Sequence, residues 1–276
     1  MRWRLLRDGA SNPTTNLAVE EAIVRSRREG LCPDTLRLWR NDRSVILGCN
    51  SNAHDEVDVE ACRRMGLPIL RRTSGGGAVY HDLGNINYSV VMKEQRMTPD
   101  EDILTVYERF ADAILAGLGH LNVEAEFRHP NTIFLNGRKI SGMAQHRFYD
   151  VILFHGTLLV DSDLQALSRT LLHPKHEVTN ISREVPGHLS TRFVEDAIVA
   201  GFQGSFGILF DAGRLNSYES RMSQELLSMK YGTEKWNLHI DGELTAESIS
   251  NLPIIERLAA HEDETTGARH PTGQDL

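Results

Sequence analysis

Arg71-Arg72-Thr73-Ser74-Gly75-Gly76-Gly77-Ala78-Val79-Tyr80-His81-Asp82-Leu83-Gly84-Asn85-Ile86-Asn87-Tyr88-Ser89 concentrates more chemistry than any other stretch of this 276-residue chain. Its two arginines close an apolar run, Leu67, Ile69 and Leu70, that reads as a buried strand. Three glycines follow, where backbone must approach something closely or adopt positive φ. Ala78 and Val79 restart extended structure, and His81-Asp82-Leu83-Gly84-Asn85 turns it. Bare N–H groups suit an anion, and paired guanidiniums offer forked donors to carboxylate or phosphate. The stretch thus reads as one wall of a pocket for an anionic ligand, or, by itself, as a tight loop with solvated arginines. No P-loop pattern is present, and Tyr80 stands where a dinucleotide fingerprint needs glycine.

Upstream, Val19, Ala22, Ile23 and Ser26 recur at helical spacing, which predicts a helix from Asn16, closed by Gly30. Leu36-Arg37-Leu38-Trp39 alternates as a half-buried strand, Val45-Ile46-Leu47-Gly48 reads as another, and residues 55–65 as one short helix. Downstream, Ile86, Tyr88, Val90 and Met92 alternate as a strand. Thr98-Pro99-Asp100-Glu101 is a capping box before an apolar stripe of Ile103, Tyr107, Phe110, Ile114 and Leu118. Asn136-Gly137, between Ile133-Phe134-Leu135 and Arg138-Lys139-Ile140, signals a hairpin. A period of two places Lys139 and Ser141 on one face and Ile140 on the other. Residues 151–160 read as a strand, and 162–172, 191–204 and 216–231 as helices. From His261 onward no apolar face remains, which predicts disorder.

Three strings together resemble the lipoate–protein ligase A family in the biotin/lipoate protein ligase superfamily, of the archaeal two-component type. They are Arg71 to Asn85, Gly137-Arg138-Lys139-Ile140-Ser141-Gly142-Met143-Ala144, and His155-Gly156-Thr157-Leu158-Leu159. Val178-Thr179-Asn180-Ile181 and Tyr231 to Asn237 are further shared segments. The resemblance implies an α/β (α+β) fold, the class II aminoacyl-tRNA synthetase/biotin ligase-like domain, with a mostly antiparallel central sheet flanked by helices. That domain would span 1–240, with 241–276 a short extension in place of an accessory C-terminal domain. The implied reaction condenses lipoate with ATP to lipoyl-AMP and passes the lipoyl group to a lysine of an acceptor. Acceptors would be lipoyl-domain proteins such as 2-oxoacid dehydrogenase E2 subunits or the glycine cleavage H protein, with a separate accessory subunit as a further partner.

By the same resemblance Lys139 is the catalytic residue. ATP and lipoyl-AMP fall to Arg71, Arg72, Gly75, Gly76, Gly77, Ala78, Val79, Tyr80, His81, Asn85, Asn131 and Lys139. Lipoate falls to Lys139, Gly76, His155 and Gly156, and Mg2+ rides on the phosphates with few protein ligands. A buried histidine at 155 reads equally well as core. The family often has Asn-Asp ahead of the hairpin; Asn131-Thr132 here lacks that carboxylate.

A net charge of −8 argues against a broad basic surface for nucleic acid. No stretch suits a signal peptide or a membrane span. Cys32, Cys49 and Cys62 show neither a disulfide framework nor metal spacing, so a reducing, cytoplasmic setting is expected. His173-Pro174-Lys175-His176 is broken by proline as a metal pair. The rival on this scaffold, an octanoyltransferase acting from an acyl carrier protein, needs a cysteine thiolate, and no cysteine follows Cys62. A biotin ligase has a different glycine and arginine pattern. A non-catalytic lipoyl-binding module is the remaining alternative, against which the retained Lys139 speaks.

Overall fold

In the computed structural model the described residues are 1–7, 9, 11–94, 103–185 and 189–238. The capping box expected at Thr98 to Glu101 and the extension 241–276, with its expected disorder, lie outside them. Along the chain run β1 Arg2–Arg7, α1 Pro13–Arg28, β2 Thr35–Trp39, β3 Ser44–Leu47, α2 Ala53–Glu56, α3 Val59–Arg64, β4 Ile69–Arg71, β5 Val79–His81 and β6 Asn85–Lys93. After them come α4 Ile103–Gly119, β7 Ala125–Arg128, β8 Thr132–Leu135, β9 Arg138–Phe148, β10 Val151–Leu159, α5 Leu164–Thr170 and α6 Ile181–Glu184. The described chain closes with α7 Thr191–Phe206, β11 Leu209–Ala212, α8 Ser217–Leu226, a π-helical turn Leu227–Tyr231 and α9 Glu234–Leu238.

Eight strands form the main sheet in the order β11-β1-β2-β6-β10-β9-β8-β7. Only the two pairings of β1 are parallel; the other five are antiparallel. This is the expected mixed architecture with a mostly antiparallel central sheet and flanking helices. A smaller sheet, β4-β3-β5, carries the glycine-rich stretch.

The apolar stripe of α4 (Val106, Phe110, Ile114, Leu118) joins Val194, Ile198 and Phe202 of α7 in one core with Leu36, Tyr88, Val90 and Phe154 of the sheet. A Cβ at Gly201 would collide with the Ala113 carbonyl, so glycine lets these two helices approach backbone to backbone. A second core gathers Val19, Ile23 and Val24 of α1 with Val91, Val151 and Leu153.

Four local expectations are corrected. α1 starts at Pro13, because the Asn12 side chain caps it by accepting from the Thr15 N–H. β2 is buried along its whole length. Arg37 donates to the Asn16 carbonyl (2.9 Å) and to Asn16 Oδ1 (2.6 Å) beneath α1, so its polarity did not mark a solvent face. Residues 55–65 break at Val57, which is extended (φ −131°) and bridges to Leu171, and each half has its own cap, Asn52 and Asp58.

The fourth correction bears on the site. Asn136 and Gly137 both have positive φ (51° and 74°), as the hairpin signal requires. Beyond them the register skips Ile140: Phe134 pairs with Lys139, but Ile133 pairs with Ser141. Neighbours on β8 point to opposite faces, so Lys139 and Ser141 lie on opposite faces as well. Ser141 and Ile140 turn inward, Ser141 bonding Tyr88 Oη (3.1 Å), while Lys139 shares the face of Phe134 and Thr132.

Candidate active site

A cavity of about 890 Å³ opens between the two sheets. One wall is Gly76 to His81 with Asp55 and Glu56, another is Lys139 to Ala144 of β9, and a third is the irregular segment His173 to His176 with Val178. Glu20, Trp39, His155 and Gly156 also line it.

Lys139 enters this space because its backbone is fixed on both sides. Its N–H donates to the Glu177 carbonyl (2.8 Å) and its carbonyl accepts from Thr179 N–H (3.1 Å). A Cβ at Gly142 would lie 2.9 Å from Lys139 Nζ, so glycine there leaves room for the ammonium. Among the described residues the ammonium has no hydrogen-bond or ion-pair partner. Burial, followed by the like charges of Lys175 and Arg72, holds its pKa below the ordinary lysine value.

The two arginines behave otherwise than their sequence suggests. Arg71 does not line the cavity: its guanidinium donates to the carbonyls of Gly48, Cys49, Ser51, Trp236 and Asn237. Arg72 reaches the cavity, yet it donates to the carbonyls of Ile46, Gly75 and Gly77 and to Ser74 Oγ. Burial pushes it down to about 10. A glycine loop with inward carbonyls needs donors, and Arg72 supplies them.

On the loop itself Glu56 accepts from the Ala78 N–H, so one amide expected for an anion is already engaged by a carboxylate. Gly75 and Asn85 do not line the cavity, and Asn85 Nδ2 donates to Asn87 Oδ1 (3.0 Å). Asn131 lines it and donates to the Met143 carbonyl (2.7 Å), and Thr132 beside it is buried. Tyr80 and His81 are buried lining residues; burial first, then Arg72, takes His81 down to about 3, so its ring is neutral.

His155 joins a buried polar chain. Its Nδ1 lies 2.9 Å from Glu20 Oε1 and its Nε2 2.6 Å from Ser74 Oγ, which in turn accepts from Arg72 Nε. Ser89 donates to the same Glu20 oxygen (2.6 Å) and accepts from Trp39 Nε1 (2.8 Å). Burial pushes the Glu20 carboxyl up, but His155, Ser89 and Arg37 hold it below its usual range. Gly156 leaves space for Tyr88, whose hydroxyl a Cβ there would strike.

A family model described as the lipoyl protein ligase A/B catalytic domain matches residues 12–203. The chain belongs to this family. A lipoate-protein ligase A subunit 1 from Thermoplasma acidophilum is 34% identical over 255 residues, covering 85% of this chain and 95% of that protein. An octanoyltransferase LipM from Kyrpidia tusciae is 30% identical over 270 residues, covering 85% and 98%. A crystal structure of lipoate-protein ligase A bound with ATP superposes with TM-score 0.79 at 34% identity, covering 86% of this chain and 99% of that one. The bi-partite lipoate protein ligase of T. acidophilum gives 0.77 at 32%, covering 89% and 100%.

The three main shared strings thus converge on one cavity, but lining residues such as Lys175, Glu56 and Glu20 escaped the sequence reading. Lys175 sits in a segment without periodicity. Glu56 ends a helix broken where none was expected. Glu20 carried a usable signal: it lies four residues after Asn16 and three before Ile23, on the buried stripe of α1. Among the described residues no group of three His, Cys, Asp or Glu forms a metal cluster, and no helix is long and apolar enough to cross a membrane.

Proposed function

We propose that this protein is an ATP-dependent lipoate–protein ligase. The observation that carries the reading is the Lys139 ammonium, which faces the cavity without a partner among the described residues, beside the glycine loop and a second lysine, Lys175. Lipoate and the α-phosphate of ATP repel each other, and a compact cation between them offsets that repulsion most as charge builds in the transition state. A carboxylate oxygen attacks the α-phosphorus and pyrophosphate leaves with the electron pair. The acceptor lysine amine then attacks the anhydride carbonyl, whose oxygen Lys139 polarises, and AMP departs.

In this reading the nucleotide lies along Gly76 to His81 and near Asn131, with Arg72 stiffening the loop as well as facing it. The acyl chain runs past Gly76 toward His155, Gly156 and Trp39. Asp55 and Glu56 supply carboxylates at the loop that Thr132 does not, enough for Mg2+ held mainly by phosphates and water. Lipoyl domains are the acceptors, and a separate accessory subunit assists activation; the near-complete coverage of subunit 1 of a bi-partite ligase supports this. Three free cysteines fit a cytoplasmic setting.

The LipM relatives favour octanoyl transfer as a second reading. Thioester chemistry needs a thiolate at the cavity, and none of the three cysteines lines it. Burial pushes the Cys32 and Cys62 thiols up to about 11. Mass spectrometry of a lipoyl domain incubated with the protein separates the two. The lipoyl adduct is expected only with lipoate and ATP together, with pyrophosphate released. Transfer from octanoyl carrier protein without ATP would replace this reading with the second.

A further inference from the structure

We propose that Arg71 is a positioning residue that ties the Trp236–Asn237 segment to the glycine loop, so that this distant segment sets the protein's affinity for a nucleotide. The inference rests on the reading that the glycine loop takes ATP. Arg71 is 2% exposed and bonds two stretches of chain that are far apart in sequence. On one side Nη1 donates to Gly48 (2.8 Å) and Ser51 (2.7 Å) carbonyls. On the other, Nε donates to Trp236 (2.9 Å) and Nη2 to Asn237 (3.2 Å). Its backbone repeats the clamp: the N–H donates to Asn237 Oδ1 (3.1 Å), and the carbonyl accepts from Trp236 Nε1 (2.9 Å).

The 48–51 turn is in turn the backing of the glycine loop. Cys49 N–H donates to the Ser74 carbonyl (2.8 Å), and Ser51 Oγ donates to the Gly76 carbonyl (3.3 Å). A Cβ on Gly48 would collide with that same Gly76 carbonyl, so the two backbones touch with no side chain between them. Gly76 stands at φ +90°, which glycine adopts without strain, so its place is set by what its carbonyl touches rather than by its own backbone preference. The path is therefore Trp236–Asn237, Arg71, the 48–51 turn, Gly76.

A shared cation makes the path cooperative. The Arg71 guanidinium is held by carbonyl dipoles, with no carboxylate in its hydrogen-bond set. Withdrawing the acceptors of one arm leaves a buried charge under-coordinated, and it relaxes at the expense of the other arm. Arg71, Trp236 and Asn237 all lie outside the cavity lining, so any effect on a ligand travels through the loop. Lipoate, which meets the loop only at Gly76 before reaching toward His155 and Gly156, should feel it less than a nucleotide lying along Gly76 to His81.

The test is calorimetric titration of the full chain with ATP and, separately, with lipoate, in wild type, Arg71→Lys, Asn237→Ala and Trp236→Phe. Lysine keeps the charge but cannot fork to both arms; phenylalanine keeps a six-membered aromatic ring and drops the five-membered ring with its N–H. ATP affinity is expected to fall about tenfold in Arg71→Lys and about threefold in the other two, with a smaller loss for lipoate in each variant. Should Arg71→Lys not fold, Asn237→Ala and Trp236→Phe decide. Unchanged ATP affinity in these variants, or an equal loss for both ligands, overturns the inference. A wild type that binds lipoate and no ATP would instead overturn the ligase reading, and the inference with it.

Discussion

Two clusters of buried cations in this molecule have opposite fates. Around Glu21, Arg25 (2.6 Å), Lys230 (2.7 Å) and the Tyr231 hydroxyl (2.6 Å) all donate to one carboxylate, and Lys230 also sits 4.1 Å over the Trp236 ring. Although burial alone would raise it, Lys230 and Arg25 hold the Glu21 carboxyl down at about 2. Around Lys139 no carboxylate among the described residues answers, and Lys175 and Arg72 add charge of the same sign. The first cluster is complete within the chain and joins α1 to the π-helical turn. The second gains stability only from an added anion. Burial of a charge is thus a poor marker of function; burial without a partner is the informative state.

The comparison breaks most visibly at Lys139. Lys139→Ala is expected to lower lipoate-dependent pyrophosphate release by about 10²–10³-fold, as loss of a transition-state donor does, with a melting temperature that does not fall. Wild-type turnover would make the second cluster as structural as the first.

Glu21→Gln should do the reverse, costing about 3–5 kcal/mol of stability by leaving Lys230 and Arg25 short of a counter-charge. The sign of its pH dependence follows from the depressed carboxyl. Its stabilisation is present above 4.5, the unfolded value, and is lost as pH falls toward about 2. Urea melts across that window should therefore be flatter for Glu21→Gln than for wild type, and equal slopes would refute the assignment.

The smallest effect sharpens the contrast. A lysine held below its ordinary value penalises the folded state while protonated, and stability rises as pH climbs through the gap between the folded and unfolded values. Lys139→Met should consequently raise the melting temperature at neutral pH by about 2–4 °C, the shift that roughly 1 kcal/mol produces in a domain of this size. Lys175→Ala should move the alkaline limb of adenylate formation upward, since one of the like charges depressing Lys139 is gone. A downward move would show that Lys175 faces elsewhere.

Much of this was legible in the residues. The α4 stripe, the alternation of β6 and the Asn136-Gly137 turn state their structure locally, because period and turn chemistry act over a few residues. The convergence of the glycine stretch, Lys139 and His155 on one cavity follows from matched strings rather than from periodicity. The roles of Arg71 and Arg72 were hidden, since a guanidinium that binds a ligand and one that binds carbonyls look alike in sequence. Lys175 and Glu56 depend on irregular backbone, whose course is set by distant partners, Lys139 for the segment of Lys175 and Leu171 for that of Glu56. Of the cavity carboxylates, Glu20 alone announced itself, by its place on a buried helical stripe.

The skipped residue in β9 has a consequence of its own. A strand is a two-beat rhythm, and Ile140 is an extra beat: from Ser141 onward the inward beat falls on Ser141 and Met143, and if Ile140 were paired in its turn instead of skipped it would fall on Lys139 too. Inserting one residue between Ile133 and Phe134 would give Ile140 a partner, leave the hairpin, the strand order and every motif residue in place, and put Lys139 on the face of Ser141, turning the ammonium toward Tyr88 and the core. Such a chain would carry all the family's spelling and none of its chemistry.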